Sequence, residues 1–112
     1  MTVMQSQPNL IINESAVSGN VTSKTVIPGE GRRMSFDLRT TGTLTGTFKL
    51  QAKNDPRKEI AFQDFTFTWS SQPAGSPWGI LGQIDPADFL QYQVVFTYTS
   101  GTGNITCAMN LF

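Results

Sequence analysis

Apolar and polar residues alternate with period two over much of this chain, most plainly near its C-terminal end. Tyr92, Val94, Phe96 and Tyr98 fall on one face, and Gln91, Gln93, Thr97 and Thr99 mostly on the other. After Ser100-Gly101-Thr102-Gly103, the residues Ile105, Cys107, Met109 and Leu111 share one face. Asn104, Thr106, Ala108 and Asn110 share the opposite one. Such alternation marks a strand with one buried face. Gly101 and Gly103 supply the positive φ that a short loop demands, so residues 91–112 predict a hairpin of two long strands. A lone ribbon is marginal in water, and the hairpin therefore requires a second apolar surface over it.

The rest of the chain supplies candidates for that surface. Residues 1–8 have no clear period and end at Pro8, which predicts a flexible N-terminal arm. A single domain then spans residues 9–112. Leu10, Ile11 and Ile12 predict a short strand over 9–13, and Ser18-Gly19-Asn20 a turn. Residues 21–27 are rich in β-branched residues and predict a strand, broken by Pro28 to Gly31. Met34, Phe36 and Leu38 alternate with Arg33, Ser35, Asp37 and Arg39. Phe48, Leu50 and Ala52 alternate with Thr47, Lys49, Gln51 and Lys53, and Asn54-Asp55-Pro56 closes that strand as a turn. In residues 60–70 the apolar parity slips at Gln63-Asp64, by a β-bulge or by a break into two strands. Gly79 and Gly82 predict a short or irregular strand over 78–84. Asp85-Pro86-Ala87-Asp88 has the form of a helix start, with room for about one turn. Seven to nine short strands and at most one short helical turn predict an all-β fold. It is an antiparallel β-sandwich, jelly-roll-like.

Composition sharpens this picture. The 112 residues suffice for one domain whose core needs no disulfide or metal staple. Charged residues make up 14%, against roughly 25% in ordinary globular domains. Ser, Thr, Asn, Gln and Gly take their place, a surface suited to packing against other protein. Eight basic residues balance eight acidic ones, so no field steers nucleic acid or an anionic membrane toward the chain. No apolar run approaches the length of a membrane span, and residues 1–10 lack the pattern of a signal peptide. Nucleic acid and membrane are thus not expected as partners.

Catalytic chemistry finds few groups. There is no histidine, the commonest general base and metal ligand. The single cysteine, Cys107, lies on an apolar strand face and reads as a buried, inert thiol. Asp85 and Asp88 have carboxylate-pair spacing, but helix capping accounts for it, and Asp55 before Pro56 reads as a turn residue. No cofactor, metal or enzymatic activity is expected. Arg32, Arg33 and Arg39 share a polar face with Asp37 and are expected to pair with Glu30 or with acidic groups of a neighbour. Trp69 and Trp78 flank a polar loop. An exposed indole pair there would stack on sugar rings; the other reading packs both indoles in a core or interface. Three Asn-X-Ser/Thr triplets, at Asn13, Asn20 and Asn104, are expected by chance in so polar a chain.

Two stretches carry a resemblance. Gly46-Thr-Phe-Lys-Leu-Gln-Ala-Lys-Asn-Asp55 is a strand running into an Asn-Asp turn. Residues 92–109 contain Thr97-Tyr98-Thr99-Ser100-Gly101-Thr102-Gly103-Asn104-Ile105. Together they resemble small jelly-roll virion proteins of tailed bacteriophages, the capsid cement or decoration proteins. The resemblance runs from Gly19 to the C terminus. Pro56 and Arg57-Lys58-Glu59 depart from the pattern, which often continues with a tryptophan. The resemblance implies a non-enzymatic structural protein on the capsid exterior, made in the host cytoplasm. Its implied partners are the major capsid protein and further copies of itself, as a dimer or trimer. Met1, Val3, Met4 and Phe112 are the expected interface residues. The alternative is a receptor- or carbohydrate-binding module of a fibre or tail, with Trp69 and Trp78 as its ligand-binding residues.

Overall fold

A computed structural model describes residues 9–29, 33–70, 78–84 and 89–111; of residues 9, 66–70 and 78 it describes the backbone alone. These residues form eight strands: β1 (Asn9–Val17), β2 (Val21–Thr22), β3 (Met34–Thr40), β4 (Thr45–Lys53), β5 (Gln63–Ser70), β6 (Trp78–Ile84), β7 (Gln91–Ser100) and β8 (Gly103–Leu111). They make two antiparallel sheets, ordered β1-β8-β3-β6 (sheet A) and β2-β7-β4-β5 (sheet B). The pairs β1–β8, β2–β7, β3–β6 and β4–β5 are nested in sequence. The chain thus folds back on itself once, at the β4–β5 turn, and the resulting double ribbon is rolled up. The pairs β3–β8 and β4–β7 close the roll. This is a jelly roll.

The inward faces are those that period-two alternation assigns. Met34, Phe36 and Leu38 from β3, Phe48, Leu50 and Ala52 from β4, Tyr92, Val94 and Phe96 from β7, and Ile105, Cys107 and Met109 from β8 are all buried. Leu111 is half-buried at the core's margin. Phe48 and Phe96 lie at the centre with ring centroids 4.9 Å apart. Phe65, Phe89 and Tyr92 form an edge-to-face cluster toward the end where the chain enters β5 and β7.

The expected C-terminal hairpin does not form. β7 pairs with β2 and β4, β8 with β1 and β3, so the two strands lie in opposite sheets and face each other across the core. Residues 101–102 are a corner from one sheet to the other. Alternation places the same side chains inward in a hairpin and in a corner, which is why the two look alike in sequence. What selects the corner is a second one beside it. Residues 41–44 carry β3 in sheet A into β4 in sheet B, and the two corners are hydrogen-bonded together. Thr41 N–H donates to the Asn104 carbonyl and Thr43 N–H to the Thr102 carbonyl, each at 3.0 Å. Thr102 N–H donates to Thr43 Oγ1 (3.2 Å) and Asn104 N–H to Thr41 Oγ1 (3.3 Å). Gly101 has φ +82°, and a Cβ there would overlap the Thr43 carbonyl; one at Gly103 would overlap the Thr41 carbonyl. Tyr98 closes the corner from within, its hydroxyl donating to the Gly101 carbonyl at 2.8 Å.

Four other expectations change. β1 runs to Val17, because bulges at Ile11 and between Glu14 and Val17 keep it paired with β8. The first bulge explains why the consecutive residues Ile11 and Ile12 are both buried. At the second, Ala16 takes φ 51° and its N–H donates to Asn104 Oδ1 at 3.1 Å. The strand expected over 21–27 stops at Thr22 and resumes only as a bridge from Val26 to Tyr92. Ser23 ends it: its Oγ accepts from Val94 N–H at 2.8 Å, a place a strand carbonyl would otherwise take. β5 begins at Gln63, and its register slips between Asp64 and Thr68 rather than at Gln63-Asp64. β6 is regular, pairing residue for residue with β3 despite its two glycines. The expected helical turn at Asp85–Asp88 and the arm over residues 1–8 lie outside the described residues.

Three substitutions test this packing. Phe96→Ala should destabilise the fold by about 3–5 kcal/mol in urea unfolding, as a large truncation at the core's centre. Gly101→Ala should cost more than about 1 kcal/mol, because it meets both a positive φ and a neighbouring backbone. Gly19→Ala, with open space around it, should stay within about 0.5 kcal/mol of wild type. A hairpin-like tolerance at Gly101 would contradict the paired corners.

Candidate functional site

The two outer faces of the sandwich differ. On sheet B a polar chain crosses three strands. Gln93 Nε2 donates to Gln51 Oε1 at 2.8 Å, and Gln51 Nε2 to Asp64 Oδ1 at 2.9 Å. Lys49 Nζ reaches Asp64 at 3.4 Å. These partners, Gln51 first and then Lys49, hold the Asp64 carboxyl below its usual range. That face is occupied with itself.

On sheet A most outward positions around the centre are small or neutral, Ser35 on β3, Ala108 and Asn110 on β8, Leu81 and Gln83 on β6, with Asp37 on β3 the carboxylate among them. Among the described residues, its ion pair is internal to β3, with Arg39 Nε donating to Asp37 Oδ1 at 2.9 Å and Arg39 Nη2 to Asp37 Oδ2 at 3.1 Å. Both groups are substantially exposed, and such pairs contribute little stability. Arg39 therefore finds its acid two residues away on its own strand; Arg32 and Glu30 lie outside the described residues. Ala108 is short, and an open depression of about 520 Å³ lies between β6, β3 and β8. At its rim Leu81 is 75% exposed, more than any other large apolar residue described. Nothing in the sequence distinguishes this leucine from a core one.

A second depression, of about 540 Å³, lies under the β4–β5 turn and is lined by Lys53, Asn54, Asp55, Asp64, Phe65 and Phe89 among others. Its charges are engaged. Asp55 accepts from Arg57 N–H and from the Arg57 guanidinium, the nearest contact being 2.6 Å. That pairing lowers the Asp55 carboxyl's pKa. Lys53 Nζ donates to the carbonyls of Arg57 and Ile60 at 3.0 Å and sits 4.6 Å from the centroid of the Phe62 ring. Asp55 is thus a turn residue, as its place before Pro56 suggests. Leu90 N–H, donating to Asn54 Oδ1 at 2.9 Å, ties the approach to β7 onto the same turn.

The remaining sequence-derived candidates separate. Trp69 stands on β5 opposite Phe48, and Trp78 on β6 opposite Thr40, at the edges of different sheets; their side chains lie outside the described set. Met1, Val3, Met4 and Phe112 are likewise outside it, as are Asp85 and Asp88. Two triplet asparagines have structural tasks: Asn104 Oδ1 holds the Ala16 bulge, and Asn20 Oδ1 accepts from Tyr98 N–H at 2.8 Å. No group of three acidic, cysteine or histidine residues converges among the described residues. Cys107 is fully buried in β8, and burial, with Asp37 nearby, pushes its thiol up to about 12. No protein-family model matches the chain, and no curated protein sequence is significantly similar to it.

The thiol generates a pH prediction. Its folded pKa stands above the ordinary 9.0, so its contribution to stability is complete below about pH 9 and is lost as pH rises toward 12. Urea unfolding should therefore show wild type losing stability faster than Cys107→Ala above pH 9, by up to about 1.4 kcal/mol per pH unit. Parallel pH profiles would mean that the folded thiol ionises like a free one.

Proposed function

We propose that this chain is a non-enzymatic structural protein of a bacteriophage particle. It is a cement or decoration protein on the capsid exterior, stabilising contacts between major capsid subunits. The observation that carries the reading is the outer face of sheet A. Mostly small or neutral side chains surround one exposed leucine and an open depression, and the carboxylate in its lining, Asp37, is paired with Arg39 within β3. A face of this kind favours protein over nucleic acid or a charged ligand. The rolled double ribbon adds support, since jelly rolls recur in viral capsid and lectin domains, although a fold alone does not assign a function. The resemblance of 46–55 and 92–109 to phage cement proteins points the same way.

A cement protein acts by mass action. It binds the assembled shell and not the free subunits, and so stabilises the shell by its binding free energy at each site. Met1, Val3, Met4 and Phe112 would add contacts to neighbouring subunits. Particles lacking the protein should disrupt at lower temperature and recover on its addition. Removing residues 1–7 should leave the circular dichroism spectrum unchanged and weaken attachment to the particle. Unaltered particle stability, with glycan attachment abolished by Trp78→Ala, would instead establish a receptor- or carbohydrate-binding module of a fibre or tail.

A further inference from the structure

A jelly roll with two open sheets has four edge strands, and here they are β1 and β6 in sheet A and β2 and β5 in sheet B. An edge presents unpaired N–H and C=O groups, and monomeric proteins blunt it with bulges, charges, proline or brevity. Three of the four edges are blunted. β1 carries two bulges and the exposed Glu14. It is also bound to the other sheet, since Lys24 N–H donates to the Ile11 carbonyl at 3.0 Å. β2 is two residues long. β5 is interrupted by its register slip and bears Asp64. β6 has none of these features. Trp78-Gly-Ile-Leu-Gly-Gln-Ile84 contains no charge and no proline, and it runs without irregularity along β3. Among the described residues, no strand pairs with its outer edge.

We propose that β6 is a self-association edge: two copies of this chain pair their Trp78–Ile84 strands antiparallel about a two-fold axis through Leu81, joining their A sheets into one. A two-fold axis makes a single strand its own partner, with residue i meeting j and j meeting i. Directly opposite residues in antiparallel strands share a face, so only registers that place Gly79, Leu81 and Gln83 against one another preserve the sandwich's inside and outside. The register centred on Leu81 does so and pairs the whole strand. It sets Leu81 against Leu81 on the outer face, where cross-strand side chains approach to about 5 Å. The most exposed large apolar side chain described is thereby covered by its own copy. On the inner face it sets Ile80 against Gly82, so the half-buried Ile80 and the buried Ile84 continue the core into the second sandwich. The pairing is a property of the chain alone and does not rest on its attachment to a particle.

The test is analytical ultracentrifugation of the full chain at micromolar concentration, with circular dichroism as the folding control. Wild type should sediment as a dimer. Leu81→Lys changes a side chain that solvent already surrounds, so the fold should persist. Two ammonium groups at the axis should weaken the dimer by at least about tenfold in Kd. Leu81→Glu should behave alike. Mixing the two variants should restore a heterodimer, because position 81 faces position 81. A monomeric wild type, a Leu81→Lys protein that remains dimeric, or a mixture that stays monomeric would each overturn the proposal.

Discussion

The structure depends on two corners that turn together. The chain leaves sheet A at the end of β3 and re-enters it at the start of β8, crossing between the sheets through residues 41–44 and 101–102 side by side. Their backbone groups would lose strand partners at the bend, and a buried or crowded amide without a partner is costly. They find partners in each other instead, with Thr41 and Thr43 supplying both amides and hydroxyls to Thr102 and Asn104. The approach is close enough to exclude a Cβ at Gly101 and Gly103. Leu44, buried directly beneath, joins this hydrogen-bonded seam to the apolar core.

Once β3–β8 and β4–β7 are locked across that seam, the remaining pairings follow with little freedom. β1 has an available edge on β8, β2 on β7, β6 on β3 and β5 on β4. The side formed by β1 and β2 is tied between sheets by Lys24 and Ile11. On the opposite side, β5 is disrupted and β6 is straight, and the asymmetry leaves one continuous neutral edge.

The same asymmetry separates the outer faces. Sheet B spends its long polar side chains on one another, through Gln93, Gln51, Asp64 and Lys49. Sheet A pairs Arg39 with Asp37 within β3 and otherwise carries mostly short or neutral side chains there, with the leucine on the depression's rim. A jelly roll so arranged can present sheet A outward while sheet B, the corners and the core supply rigidity.

Much of the fold was legible in the chain itself. Alternation in β3, β4, β7 and β8 identified the strands and their buried sides, because a side chain's face depends only on its position's parity. The absence of helix-period segments and the low charge were equally visible. Parity is blind to pairing, however. Ser100-Gly101-Thr102-Gly103 is as fit for a hairpin as for a corner, and only the presence of residues 41–44 beside it, sixty positions away in sequence, decides between them. The same limit hid the brevity of β2, which ends because Ser23 Oγ takes the Val94 amide, and the regularity of β6, whose glycines are held in register by β3. The candidate surface was still less visible. Leu81 reads as one more apolar residue among several. What makes it distinctive is its place on an edge strand with its side chain outward, and that is a fact about neighbours brought together by folding, not about residues adjacent in the chain.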